Sequence, residues 1–271
     1  MIRLLSWNTA HRDLWAQVAA TDGVDVALLQ EAVPPAADAF AQVLPAADGA
    51  WSTAGWPRRA WRTSVAQVSS AVELRERPAH AIAEATGETT WAVSQPGTVT
   101  AADVLTEGEL RFTAVSVYAP WERTRGGGLY ADASAHRVLS DLSALTYTAR
   151  HRLVVAGDWN ILRGYGEHGD ERWGRRYASV FARAESLGLR CVGPAFPDGR
   201  RADPWPQELP EGSLCVPTYH PSRQSPATAT RQLDFVFASE SIADRVSVRA
   251  LNGVEEWGGS DHCRAVVDVD V

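Results

Sequence analysis

Apolar residues fall in short runs along most of the chain, and those runs have the length of strands. Strands are predicted over residues 3–7, 24–30, 64–69, 98–105, 110–118, 153–156, 232–238, 246–250 and 263–269. Two stretches switch to helical spacing. Val138, Leu139, Leu142 and Leu145 share one helix face, and Tyr177, Val180, Phe181, Ala184 and Leu187 share another. Strands outnumber helices and several follow one another directly. That predicts a layered α/β (α+β) architecture with mixed sheets in place of a regularly alternating βαβ fold. Residues 192–231 hold 8 of the 15 prolines. Proline withholds a backbone donor, so a long loop is predicted, of the kind that either carries function or stays disordered. Residues 163–174, rich in glycine and charge, form a second predicted loop.

Composition narrows the picture by exclusion. With 271 residues, 45% hydrophobic and 22% charged, the chain can bury a sizeable core. No repeat or linker divides it, and residues 1–271 are read as one domain. No apolar run approaches the roughly 18 residues of a membrane-spanning helix, and the first eight residues lack an export signal's pattern. Cys191, Cys215 and Cys263 are odd in number and form no CxxC pair. Neither a disulfide framework nor a cysteine zinc site is therefore expected, and the chain reads as a cytoplasmic monomer with free thiols. The net charge of −7 argues against clamping nucleic acid by bulk electrostatics. Residues 111–190 nevertheless carry 12 arginines against 8 acids, and Arg163, Arg172, Arg175 and Arg176 could follow a phosphate backbone. All 26 basic residues are arginine, which coding bias explains as well as phosphate binding does.

Four segments carry candidate chemistry. The run 153–156 ends at Gly157-Asp158-Trp159-Asn160. An Asp and an Asn at a strand end can orient a water and donate to an oxyanion, or simply close the strand with an Asx turn. In Gln232-Leu233-Asp234-Phe235-Val236-Phe237, alternation puts Asp234 on the face of Val236, away from Phe235 and Phe237. An ionised Asp there wants a partner such as histidine, unless the strand is an edge and Asp234 is solvated. Gly258-Gly259-Ser260-Asp261-His262 opens the last strand with an acid and an imidazole. A buried carboxylate such as Asp234 would keep that imidazole protonated. Leu28-Leu29-Gln30-Glu31 ends a buried-looking strand in an acid, the kind of ligand that holds hard divalent cations, and Asn8 ends the first strand with a neutral oxygen.

Taken together and in order, Ser6-Trp7-Asn8, Leu29-Gln30-Glu31, Val117-Tyr118-Ala119-Pro120, Gly157-Asp158-Trp159-Asn160, Leu233-Asp234-Phe235-Val236-Phe237 and Ser260-Asp261-His262 resemble the endonuclease/exonuclease/phosphatase superfamily. That group contains DNase I-like nucleases and abasic-site endonucleases. The resemblance covers essentially the whole chain. It implies a four-layer sandwich of two facing mixed β-sheets flanked by helices, with the site where the sheets meet at one end. It also implies roles. Glu31 would be the principal Mg²⁺ ligand, with Mn²⁺ able to substitute, and Asn8 and Asp261 would stand close by. Asp158 would position or deprotonate the attacking water, and Asn160 would hold the phosphate and nucleophile. His262, oriented by Asp234, would contact the phosphoryl oxygens, as would Tyr118. Arg137 is a further candidate on the following helix. Many nucleases of the group carry an acid two residues after the asparagine; here that position is Ala10, which leaves the number of metals open.

The resemblance implies a metal-dependent phosphodiesterase, with a DNA nuclease as the leading expectation. The alternative is a small-molecule or nucleotide phosphatase or phosphodiesterase of the same fold. The inositol-phosphate branch carries Trp-Cys-Asp-Arg where this chain has Leu233-Asp234-Phe235, which argues against it. Among the 11 tryptophans, Trp121, Trp159, Trp173, Trp205 and Trp257 lie in or beside the candidate loops. Core packing explains most of them, and one or two are expected to stack on a base.

Overall fold

The computed structural model describes residues 1–36, 40–45, 62–82, 84, 91–123, 129–148 and 150–270. Two six-stranded sheets dominate it. The first runs in the order β15 (Val246–Leu251), β16 (Arg264–Val269), β1 (Ile2–Asn8), β2 (Val26–Gln30), β4 (Ser64–Gln67), β3 (Gln42–Leu44). The second runs β13 (Leu189–Gly193), β14 (Asp234–Ser239), β12 (Leu153–Asp158), β9 (Glu109–Tyr118), β8 (Val99–Thr106), β5 (Glu73–Arg77). In each sheet the central pair, β1 with β2 and β12 with β9, is parallel, and every other pairing is antiparallel. Two small ribbons accompany them: β6 (Ala79–Ala81) with β7 (Trp91–Val93), and β10 (Glu122–Arg123) with β11 (Leu129–Tyr130).

Strict alternation assigns each side chain to a layer. Leu4, Val26, Leu28 and Val267 of the first sheet meet Val104, Phe112, Ala114, Val154 and Val236 of the second, forming the core between the sheets. Their neighbours face outward. Val155, Phe235 and Phe237 pack under α2 (Ala131–Thr146) and α3 (Glu171–Ser186), against Val138, Leu139 and Leu142 and against Tyr177 and Val180. On the opposite side Leu5, Trp7 and Leu29 are covered by Trp15 and Val18 of α1 (Trp15–Ala19). The expected four layers are present, though the outer layer on the first sheet is a helix of only five residues.

The nine predicted strands all form. The structure adds strands that pattern alone did not give: β3 and β13 are short, β5 is charged, and the ribbon strands have two or three residues. It also corrects the loop predicted at 163–174. α3 begins inside it at Glu171, because Asp170 caps the helix by accepting from the backbone N–H groups of Arg172 and Trp173 at 2.7 and 3.4 Å. The proline-rich stretch is a loop as expected. Beyond the end of β13 it holds one 3₁₀ turn, Pro226–Thr228, and isolated β-bridges from Tyr219 to Arg231 and to His262.

Inner-face alternation also explains where a polar site can form. The rows Leu4–Ser6–Asn8, Val26–Leu28–Gln30, Phe112–Ala114–Ser116–Tyr118 and Val154–Ala156–Asp158 all run from the apolar core to one end of the sandwich. Antiparallel β14 starts at that same end with Asp234, level with Asp158 in the register. Gln30 donates to the Ser116 hydroxyl at 3.0 Å, and that hydroxyl donates to the Leu29 carbonyl at 2.7 Å, pinning the two sheets together just beneath.

Candidate active site

Above that link lies a cleft of about 840 Å³ whose lining includes Asn8, Glu31, Tyr118, Asp158, Asn160, Asp261 and His262. Seven of the eight residues expected from the sequence therefore share one surface. The eighth, Asp234, stands behind His262: its Oδ2 is 2.9 Å from His262 Nδ1. The solvated-edge alternative for Asp234 is excluded, since β14 is flanked on both sides and Asp234 is 4% exposed.

The backbone at these positions is bent to present the side chains. Glu31 and Asn160 have φ of 50° and 51°, a left-handed conformation that is uncommon for Glu and tends to occur at functional sites. Just before Asp158, Gly157 has φ of 153°, and a Cβ there would lie 1.9 Å from the Val117 carbonyl oxygen. Only glycine permits that approach between β12 and β9. Ser260 donates to the Asn8 carbonyl at 2.7 Å, and the Trp7 indole donates to the His262 carbonyl at 2.9 Å. Those bonds tie the His262 loop to β1. Thr218, from the proline-rich loop, accepts from the Leu233 and Asp234 N–H groups at 3.0 and 3.1 Å.

Asp158 is the hub. Its carboxylate accepts from the Asn8 amide at 3.0 Å, from the Asn160 amide at 3.0 Å and from the Asn160 backbone at 3.0 Å. The last of these is the Asx-type closure that the sequence offered as the structural alternative for the Gly-Asp-Trp-Asn segment. His262 Nε2 lies 3.8 Å from Asp158 Oδ2. Trp121 donates its indole N–H to the Asn160 side-chain oxygen at 2.5 Å, which turns the amide's donors toward Asp158.

The electrostatics follow from crowding. Burial works to raise Glu31, but hydrogen bonds from His11 and Tyr118, with the charges of His11 and His262, hold it down at about 2. Burial raises Asp158 well above the usual carboxylate range; His262 opposes this, while the charges of Asp234 and Glu31 add to it. Burial would lower His262, yet the charges of Asp234 and Asp158 carry it up to about 10. The imidazole is therefore cationic at neutral pH.

That repulsion around Asp158 is an excess of negative charge which a cation would offset, and the oxygen donors suit a hard divalent cation. The residues present thus fit a divalent metal. Ligand atoms of Asp158, Asp234 and His262 lie within 4.8 Å of one another. Glu31 and Asp261 add further carboxylates in the cleft wall.

Three cleft residues, His11, Tyr219 and Arg231, went unsuspected in the sequence. His11 pairs with Glu31 at 2.8 Å. Tyr219 packs its ring 5.0 Å from that of His262, and Arg231 also lines the wall. Tyr219 and Arg231 sit in the irregular proline-rich loop, where no periodicity points to them. Other expectations are corrected. Arg137 is not part of the cleft wall and donates to Ser134 one turn back along α2 at 2.9 Å. Trp159 and Trp257 are buried in the core and cannot stack on a base. Trp173 packs on Tyr177, Trp205 donates to the Leu209 carbonyl, and Trp121 alone of the five lines the cleft. In the basic segment, Arg175 and Arg176 are engaged by Glu171 and Asp132.

A two-sheet sandwich with an acid, amide and imidazole cluster at its polar end defines a class, and the sequence comparison names it. The endonuclease/exonuclease/phosphatase family profile matches residues 5–262, and the chain belongs to that family. Similar solved structures include the AP endonuclease LMAP from Leishmania major, at 15% identity with TM-score 0.63, covering 100% of this chain and 88% of that one. The endonuclease domain of TRAS1, a telomere-specific non-LTR retrotransposon, is 16% identical with TM-score 0.61, covering 100% and 99%. The 3′ phosphatase NExo from Neisseria, bound to product DNA hairpin, is 15% identical with TM-score 0.61, covering 100% of both. No curated protein matches the sequence. At these identities the likeness establishes the DNase I-like fold. No helix among the described residues is long and apolar enough to cross a membrane.

Proposed function

We propose that this chain is a divalent-metal-dependent phosphodiesterase that cleaves DNA by in-line attack of water on phosphorus. The observation that carries the reading is the arrangement around Asp158: a buried carboxylate held by two amides and facing a cationic His262. Glu31, Asn8 and Asp261 would hold Mg²⁺, with Mn²⁺ able to substitute; the Asp234–His262 hydrogen bond already occupies those two side chains with each other. The metal would supply charge stabilisation on phosphoryl or leaving oxygens.

Asp158 orients the water and takes its proton, as the water oxygen bonds to phosphorus and the ester oxygen departs. Burial, opposed by the charge of His262, raises the pKa of Asp158 above that of an ordinary carboxylate and so makes it a stronger base. Asn160, fixed by Trp121, holds the nucleophile and the phosphate. His262 and the Tyr118 hydroxyl donate to phosphoryl oxygens as charge builds, and Asp234 keeps the imidazole protonated and aimed. One chain supplies every member, so a monomer suffices. The three cysteines are free, in keeping with a cytoplasmic setting. The core between the sheets draws on both β1 and β16, which supports residues 1–271 as one domain.

DNA is favoured because the similar structures include endonucleases and a phosphatase bound to a DNA hairpin. The net charge of −7 favours the second reading, a phosphatase or phosphodiesterase of small molecules or nucleotides. One assay separates them. With Mg²⁺ or Mn²⁺, the protein is offered plasmid, abasic duplex, single strand, RNA and small phosphate esters, with Asp158→Ala as blank. Cleavage of DNA that Asp158→Ala lacks supports the proposal. Hydrolysis of small esters with intact DNA selects the alternative.

A further inference from the structure

Beside the catalytic cleft, a second hollow of about 340 Å³ is lined by Pro45, Arg62, Pro78, His80, Gly97 and Thr100, among others. The chain places it at the catalytic end. The Arg62 carbonyl accepts from the N–H of Ala32, the residue after Glu31, at 2.9 Å. Gly97 precedes Thr98, whose carbonyl accepts from the Tyr118 N–H at 2.9 Å. The two hollows therefore adjoin along the strand ends that carry Glu31 and Tyr118. A hydrogen bond of 2.8 Å between the Thr63 and Thr100 hydroxyls ties the two sheets together at this point.

Arg62 is the anomaly. It is 8% exposed, its Nε has no partner, and among the described residues its guanidinium makes neither a hydrogen bond nor an ion pair. Arg77, in the same wall, has its charge met by Asp103 at 2.5 Å. Glu76 and Glu84 also line the hollow without pairing with Arg62. A guanidinium taken out of water without a carboxylate is unfavourable to the fold, and burial lowers its pKa. Such a group is explained if a ligand supplies the missing anion. Guanidinium is the side chain best shaped for bidentate contact with phosphate.

We propose that Arg62 forms a second phosphate subsite, taking a nucleic-acid backbone phosphate other than the one being cleaved. This rests on the nuclease reading and adds to it how an acidic protein grips a polyanion. One uncommitted guanidinium next to the cleft adds one such phosphate contact. Within the basic segment 111–190, Arg175 and Arg176 already meet acids.

The test compares wild type, Arg62→Met and Arg62→Lys. Binding of a fluorescein-labelled duplex is followed by anisotropy in EDTA across a salt series, hydrolysis of bis-p-nitrophenyl phosphate is measured in Mg²⁺, and Tm is recorded. Arg62→Met is expected to weaken duplex binding about tenfold and to lower the slope of log K against log salt by about 1. The small diester, which has no second phosphate, is hydrolysed as by wild type, and Tm is unchanged or higher. Arg62→Lys recovers part of the affinity. An unchanged duplex affinity and salt slope overturns the subsite. So does a loss on the small diester that matches the loss on duplex, or a fall in Tm that Arg62→Lys shares. If wild type hydrolyses the small diester but neither binds nor cleaves DNA, the nuclease reading has failed and the subsite falls with it.

Discussion

Asp234 offers the sharpest perturbation, because in the proposed mechanism it acts only through His262. At 2.9 Å and an effective dielectric near 20, the attraction between carboxylate and imidazolium is about 6 kcal/mol. Burial of both partners consumes part of it: Asp234 is 4% and His262 5% exposed. Asp234→Asn keeps the shape and an acceptor oxygen but removes the charge, so the loss is that of one charge-assisted hydrogen bond, about 1.5–3 kcal/mol. If His262 touches the phosphoryl group as charge develops, this loss appears in the barrier. We expect kcat to fall about 10- to 100-fold, with KM changed little. The assay is steady-state cleavage of a labelled oligonucleotide in Mg²⁺, with circular dichroism to verify folding. Asp234→Ala, which also opens a gap beside the ring, should be worse. A folded Asp234→Asn protein with kcat within twofold of wild type would refute the assigned role of the Asp234–His262 pair.

Trp121→Phe keeps the ring but loses the donor to Asn160, and kcat should drop about fivefold. Gly157→Ala forces a Cβ to within 1.9 Å of the Val117 carbonyl oxygen, and urea unfolding should show a loss of about 3 kcal/mol or more. Asp103 is buried beside Arg77, Arg75 and Thr113; burial would raise its pKa, but their hydrogen bonds bring it below the usual value. A depressed carboxylate stabilises the fold above its unfolded pKa of about 3.9, and that stability is lost as pH falls through the folded value. Urea melts at pH 6 and pH 3 should therefore converge in Asp103→Asn compared with wild type. Saturating Mg²⁺, at about 100 times its Kd, should stabilise wild type by about 2.7 kcal/mol; the shift in Tm should vanish on chelation with EDTA and be absent in Glu31→Gln.

Much of the fold was legible because its central strands are short apolar runs. Strands such as β2 and β12 are buried on both faces, and within 232–238 alternation placed Asp234 on the face of Val236. Edge strands were not legible. β5 reads Glu-Leu-Arg-Glu-Arg and buries little beyond Leu74, and β3 has three residues, so neither offers hydrophobic contrast. The start of α3 was hidden for a different reason. Its first turn is polar and its cap, Asp170, follows two closely spaced glycines, so the local text looks like loop until Tyr177 opens the apolar face.

The site divides along the same line. Asn8, Glu31, Tyr118, Asp158 and Asp234 are readable because each continues or ends a patterned strand, so their convergence follows from sheet order. Asp261 and His262 were legible as the polar opening of β16. His11, Trp121, Tyr219 and Arg231 come from loops, whose course depends on tertiary contacts with no sequence period. Thr218 shows how such a contact works. Its hydroxyl accepts from two successive N–H groups at the start of β14, anchoring the proline-rich loop at Asp234 and bringing Tyr219 against His262. The prolines that marked this stretch as irregular thus also marked the wall of the cleft. In the proposed mechanism the strands fix where phosphorus is attacked, and the loops between them decide what can be brought there.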